Sequence, residues 1–227
     1  MKKMLAAAIM FCVIFSIPIM PVYAQPNQRC SGSGPDFILH TKIDQILAVL
    51  ENKSLSDKKK ADQLQGIVDP IFNYRLMAKL TLGREYWPRL TKNQQAEFLD
   101  LFVKRLKASY FDKISLYSGN VHADIVCGGV EPDGKKAVVP VSVTAKGTTI
   151  NMRYYFYRFP DGWKVYDVEI QGVSIVSSYK AQFEQVLSHG SVNDLLNALK
   201  KPLAEKSEKP PGKSDEKLPS KSDAQKQ

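Results

Sequence analysis

The chain is poor in the side chains on which most enzymes rely. Three histidines and three cysteines are spread over 227 residues. His40, His122 and His189 lie far apart, in different predicted elements. No His-Glu-x-x-His, Cys-x-x-Cys or phosphate-cradling glycine loop occurs, so the usual signatures of metalloprotease, redox-thiol and nucleotide chemistry are missing. Gly172-Val-Ser174 lacks the second glycine of a nucleophile elbow, and a helix cap accounts better for its serine. His189 stands beside Gly190 at a helix end, where an imidazolium complements the dipole. Asp167 and Glu169 share one strand face, exposed or paired with a base. These absences leave no catalytic grouping and no metal or cofactor to expect. Nucleic acid is not expected either, because no binding motif accompanies the excess of 32 Lys and Arg over 23 Asp and Glu. Membrane surfaces and acidic proteins are the partners that such a balance suits.

An apolar run long enough to cross a bilayer is also missing. Met4 to Phe15 gives about 12 unbroken apolar residues, where a spanning helix needs roughly 20. Lys2 and Lys3 precede that run, and Pro21-Val-Tyr-Ala24 follows it with a small residue for cleavage. Residues 1–24 therefore read as a cleaved secretory signal. Lipoprotein processing does not fit, because Asn27-Gln-Arg-Cys30 lacks small apolar residues before the cysteine. Cleavage removes Cys12 and leaves Cys30 and Cys127. An oxidising compartment permits a disulfide between them, and two unpaired thiols are the other reading. Residues 25–35 read as a flexible lead. Residues 202–227 are mostly Lys, Glu, Ser, Pro and Asp, too polar to offset their ordering entropy, and read as a disordered charged tail.

Residues 36–201 are enough for one domain with a real core. Phe37, Ile43, Ile46, Leu47 and Leu50 share a helical face, and Ser56-Asp57 starts a second helix with Leu64, Ile67 and Val68. Asp69-Pro70 reads as the cap and first-turn proline of a third helix carrying Ile71, Phe72, Leu76, Met77 and Leu80, stopped by Gly83. The capping box Thr91-Lys-Asn-Gln94 opens a long helix. Its apolar face runs through Phe98, Leu99, Phe102, Leu106, Tyr110, Ile114 and Tyr117, roughly 35–40 Å in all.

The period then changes to two. Val121, Ala123, Ile125 and Cys127 alternate, as do Ala137, Val139, Val141 and Val143, then Ile150, Met152, Tyr154 and Phe156. The last strand sets Val168 and Ile170 opposite Trp163 and Val165. Asp133-Gly134, Lys146-Gly147 and Asp161-Gly162 mark the turns, predicting a four-stranded antiparallel meander. Gly172 breaks the last strand, and Ser174 caps a helix with Ile175, Tyr179, Phe183, Val186 and Leu187 inward. Gly190 fits the residue after that helix, and Ser191-Val-Asn-Asp194 opens a final one with Leu195, Leu196 and Leu199. Helices on both sides of a single meander make the class α+β, a curved sheet wrapped around several helices.

The residues Leu82-Gly83-Arg84, Trp87, Phe98, Phe102 and Tyr110, with Tyr155, Trp163-Lys-Val-Tyr-Asp167, Gly172-Val-Ser174, Tyr179 and Phe183, form a joint pattern. It closely resembles the MlaC (toluene-tolerance) family over about Ile67 to Lys201. Asn73, where an aspartate is common, the segment Gln25 to Ser33 and the long tail depart from that family. The resemblance implies a nuclear-transport-factor-like fold with an apolar pocket between sheet and helices, and a periplasmic carrier of phospholipid between two membranes. Its implied partners are an outer-membrane lipoprotein–porin complex and an inner-membrane ABC transporter with a lipid-binding ring. On that reading the acyl chains meet Leu76, Phe98, Phe102, Leu106 and Tyr110 from the helices. From the sheet they meet Val139, Val141, Val143, Ile150, Met152, Tyr154, Phe156, Val168 and Ile170. A bulky charge at Val141 or Phe156 is expected to abolish loading more than folding. Arg84, Arg89, Lys104 and Arg105 offer a docking face or a solvated helix surface. Other readings of the fold are a carrier of hopanoid or another lipid, a pocket enzyme such as an isomerase, and a ligand-free assembly factor.

Overall fold

The computed structural model describes residues 32–111, 121–125, 134–145 and 147–202. Cys30, Cys127, Asp133, Ile114, Tyr117, the N-terminal segment and the tail beyond 202 lie outside those residues. The helices ahead of the sheet are α1 (Pro35–Glu51), α2 (Asp57–Val68), α3 (Tyr74–Tyr86) and α4 (Lys92–Leu106). The strands are β1 (Val121–Ile125), β2 (Lys136–Ala145), β3 (Thr148–Phe159), β4 (Gly162–Ile170) and β5 (Val173–Ser174). Two helices, α5 (Ile175–Leu187) and α6 (Val192–Lys200), follow.

Local chemistry explains most of these boundaries. Ser56, Thr91, Ser174 and Ser191 each accept from a backbone N–H in the first turn of their helix, satisfying donors that have no partner within it. The third helix does not begin where the proline suggested. Asp69-Pro-Ile71 forms only a 3₁₀ turn, and the cap is Asn73, whose Oδ1 accepts from Leu76 N at 2.9 Å. Asp69 serves another purpose: its carboxylate accepts from the Tyr74 hydroxyl at 2.8 Å and from Lys107 Nζ at 2.7 Å. Gly83 does end the regular part of α3, at φ 64°. Leu80 and Phe37, both expected inside, face outward, while α1 buries Ile43 and Leu50 as expected and adds Leu39. The long helix loosens after Leu106 into a wide turn of π type, Lys107–Phe111.

The sheet is an antiparallel meander of five strands in sequential order, one more than expected. The reason is the turn at Gln171-Gly172. Both residues have positive φ, 50° and 82°, and Ile170 pairs with Val173 across them. Gly172 therefore closes a tight hairpin of the primed type instead of simply breaking the strand. Gly190 reads as the residue after α5, but the cap is Ser188, and Gly190 does not take the left-handed conformation common at that position. Space is tight there: a Cβ would lie 3.1 Å from the Val186 carbonyl oxygen and from an Asp194 carboxylate oxygen, so either would have to give by a few tenths of an ångström.

Helices α1, α3 and α5 contact the sheet directly, α1 at β1 and β2 and α3 and α5 at β4. Phe98, Phe102, Tyr179 and Phe183 form an aromatic cluster between α4 and α5 with ring centroids 5.4–6.4 Å apart. Met77, Ala78 and Leu82 of α3 seal its flank. Ser109 Oγ and Tyr179 OH, 3.2 Å apart, satisfy each other inside this layer.

Candidate functional site

Strand register assembles an apolar wall. Ala137, Phe156 and Val165 lie side by side on β2, β3 and β4. Val139, Tyr154 and Val168 form the next row. Ile125, Val141, Met152 and Ile170 form the third, and Ala123, Val143 and Ile150 the fourth. All nine expected sheet residues thus share one face. From Ile150 to Phe156 the wall runs about 20 Å along β3, at roughly 3.3 Å per residue.

Val165 joins that wall against expectation. Between Tyr155 and Phe156 the register with β4 shifts, so Tyr166 is an extra residue. The bulge puts Val165 and Val168 on the same side, both buried. Strict alternation had set them on opposite faces. A run of Trp-Lys-Val-Tyr-Asp-Val carries no mark of a bulge.

Burial is graded along the wall. At one end Phe156 and Val165 are fully buried, followed by Val139 and Val141 at 0% and 2% exposure. Val143, Ile150, Met152, Tyr154 and Ile170 are only half-buried. Ile150 and Met152 do not pack against the buried core. The α1 helix contacts β1 and β2, and β1 pairs only with Val141–Ala145, so α1 stands over the open end. Its Ile38 and Leu47 are half-buried there, and they were missing from the expected set.

The helical residues divide. Phe98, Phe102 and Leu106 are buried at 0–1% exposure, and the two phenylalanines take their ring neighbours from helices. Tyr110 is half-buried against the core, whereas Leu76 is half-buried and does not pack against it. A separate cleft of about 120 Å³ lies between α4, α5 and α6, lined by Arg105, Phe183 and Leu195 among others. That is below the roughly 300–1,000 Å³ of ordinary ligand pockets.

Polar groups around the wall are engaged. Among the described residues no buried side-chain nitrogen or oxygen lacks a partner. Asp167 accepts from Ser174 Oγ at 2.6 Å, Val168 N at 2.8 Å and Val176 N at 3.1 Å, locking β4 to the start of α5. Burial pushes its carboxyl up from the ordinary value, opposed by those three hydrogen bonds. Glu169 accepts from the Tyr155 hydroxyl at 2.8 Å and pairs with Arg153 at 3.6 Å. Burial, with the Glu169 hydrogen bond second, raises the Tyr155 phenol. Tyr154 is different: burial alone pushes its phenol up to about 12, although the side chain keeps accessible surface.

The expected basic face is partly spent. Arg105 donates to the carbonyls of Ala198, Leu199 and Lys201 at 3.1, 3.2 and 2.8 Å, capping α6. Lys104 pairs with Asp100 and Arg89 with Glu85 within their own helical segments. His40 and His122 each sit beside one aspartate, and His189 Nδ1 lies 3.3 Å from the Gln185 carbonyl. No group of three metal-binding side chains occurs among the described residues.

The family model described as MlaC protein matches residues 40–201. Among curated relatives, toluene tolerance protein ttg2D of Pseudomonas putida is 23% identical over 185 residues, covering 81% of this chain and 82% of its own length. Among solved structures, a phospholipid-binding protein from Ralstonia solanacearum, in complex with a phospholipid, superposes with a TM-score of 0.64 at 26% identity. That match covers 71% of this chain and 92% of the other.

Proposed function

The chain belongs to the MlaC family, and from that premise we propose that it is a periplasmic lipid carrier. It holds phospholipid acyl chains against the apolar wall and moves them between outer and inner membranes. It works by binding alone, without catalysis. Residues 1–24 direct export, residues 36–201 bind lipid, and residues 202–227 are a charged tail. Its docking partners are an outer-membrane lipoprotein–porin complex and an inner-membrane ABC transporter with a lipid-binding ring.

The observation that carries this reading is the graded wall. A phospholipid cannot leave a bilayer unaided, because each exposed CH₂ costs about 0.8 kcal/mol and two chains cost on the order of 20 kcal/mol. A second dry surface removes that penalty and leaves transfer between membrane and protein nearly neutral. The wall is about 20 Å long, comparable with the roughly 15 Å that half of a ~30 Å hydrocarbon core spans. Tyr154, half-buried between buried Val139 and Val168, keeps side-chain surface that a ligand could meet. The phospholipid bound to the Ralstonia solanacearum relative supports the same cargo class.

Native mass spectrometry of the mature protein tests this directly. A diacyl lipid bound at one per chain is expected, with extraction naming its headgroup. A bare protein mass that stays bare after incubation with phospholipid vesicles overturns the proposal.

A further inference from the structure

We infer that the Tyr154 hydroxyl selects cargo that carries an ester carbonyl over cargo that lacks one. The inference rests on the carrier reading and deepens it. Within the four rows of the wall Tyr154 carries the one hydroxyl among the described residues, with Thr148 lying beyond them at the exposed end. Its cross-strand neighbours are Val139 and Val168, which offer no polar atom. The partner found for its O–H is Met152 Sδ, at 3.8 Å. A thioether is a weak acceptor.

Three other phenols with buried or half-buried rings do better. Tyr74 reaches Asp69 and Tyr155 reaches Glu169, each at 2.8 Å, and Tyr179 meets Ser109 at 3.2 Å. A buried hydroxyl left with a poor acceptor destabilises the fold, and proteins seldom keep one without a use. Here the wall gains a donor aimed along the path of the acyl chains. Burial also keeps the phenol protonated, so it donates at any physiological pH.

Its depth suits a glycerol ester. Met152 lies one row nearer the open end, so the hydroxyl leans toward that end, about 7–13 Å inside the Ile150 row. A lipid whose headgroup stays in water at the opening places its ester linkages just inside and its chains beyond. The carbonyl oxygen then replaces Met152 Sδ as the acceptor. An ether oxygen accepts less well, and a hydrocarbon skeleton accepts nothing.

Selectivity between matched lipids tests the idea. Wild type, Tyr154→Phe and Met152→Leu are each incubated with vesicles holding equal amounts of diacyl phosphatidylethanolamine and its dialkyl ether counterpart of the same chain length. Bound lipid is then read by native mass spectrometry. Wild type is expected to favour the diacyl form about five- to tenfold, the size of one good hydrogen bond. Tyr154→Phe should bring the ratio to about one. Met152→Leu, which removes the internal competitor, should be at least as selective as wild type. A wild-type ratio of one, or an unchanged ratio in folded Tyr154→Phe, overturns the role of Tyr154 while leaving the carrier intact. If Tyr154→Phe does not fold, the wild-type and Met152→Leu ratios decide. Failure of the wild type to load either lipid overturns the carrier reading and this inference with it.

Discussion

Replacing Ile150 with glutamate, beside a matched Phe156→Glu variant, separates a lined hollow from a filled core. Ile150 is half-buried, pairs with Val143 and does not pack on the buried core. Its substitution should cost the fold no more than about 1 kcal/mol. A carboxylate there would be covered by the arriving lipid, and stripping its water costs several kcal/mol. A penalty of about 3–4 kcal/mol corresponds to roughly 100- to 1,000-fold weaker loading. Phe156 is fully buried, so Phe156→Glu forfeits about 3–5 kcal/mol of packing before any charge penalty. Against a typical total stability of about 5–15 kcal/mol, that variant should unfold. Val141, at 2% exposure, belongs with Phe156. The structure thus moves the informative substitution from Val141 and Phe156 to the open end. Urea unfolding and lipid uptake from vesicles, measured on the same samples, give the two numbers. Undiminished loading by folded Ile150→Glu would refute the reasoning, as would a folded, merely unloaded Phe156→Glu.

Two further substitutions probe the frame around the wall. Asp167→Ala strands the N–H groups of Val168 and Val176 and frees Ser174 from its partner. A loss of about 2–4 kcal/mol is expected, or roughly 6–12 °C in Tm, while Asp167→Asn keeps an acceptor and should lose about half as much or less. Because burial raises the Asp167 carboxyl, the folded state binds its proton more readily than the unfolded chain. Stability relative to Asp167→Asn should therefore rise as pH falls through the raised folded value, with the gain complete below the unfolded value. Equal losses for Ala and Asn, or the opposite pH trend, would contradict the anchor. Arg105→Ala removes the donor to three terminal carbonyls of α6, so amide exchange should quicken in Val192–Lys200 with α3 unchanged. Lys at 105 should restore part of the protection, and an unaltered α6 would show that the cap is idle.

Much of the frame was legible because it depends on signals with a fixed period or fixed chemistry. Thr91-Gln94 and Ser191-Asp194 announce helix starts through reciprocal hydrogen bonds, and both capping boxes form. The alternation in β2 and β3 places eight wall residues on one face, which register alone then aligns. What escaped was decided by competition. Asp69-Pro70 is a sound helix start by itself, yet Tyr74 and Lys107 claim the Asp69 carboxylate and Asn73 takes the cap. Arg105 looks like any solvated arginine until α6, folded from residues some ninety positions later, brings three bare carbonyls to it.

The wall itself shows why the site was harder to read than the fold. A period of two assigns residues to faces only while one residue opposes one, and the extra Tyr166 ends that bookkeeping halfway along β4. In strict alternation Tyr166 would stand opposite Phe156 and Val165 would face away, putting a phenol where the sealed end of the wall has a valine. With the bulge, both valines close the wall, while Tyr166 and Asp167 fall on the other side. Asp167 reaches Ser174 and Val176 and holds the turn into α5. The extra residue therefore decides which side chain closes the apolar surface, while Asp167 keeps the outer face and anchors the helix behind it. Deleting Tyr166 would leave Asp167 opposite Tyr155 and Val165 opposite Phe156 in an unbroken ladder, so the wall and the Asp167 anchor should both survive, which separates the bulge itself from the residues it positions.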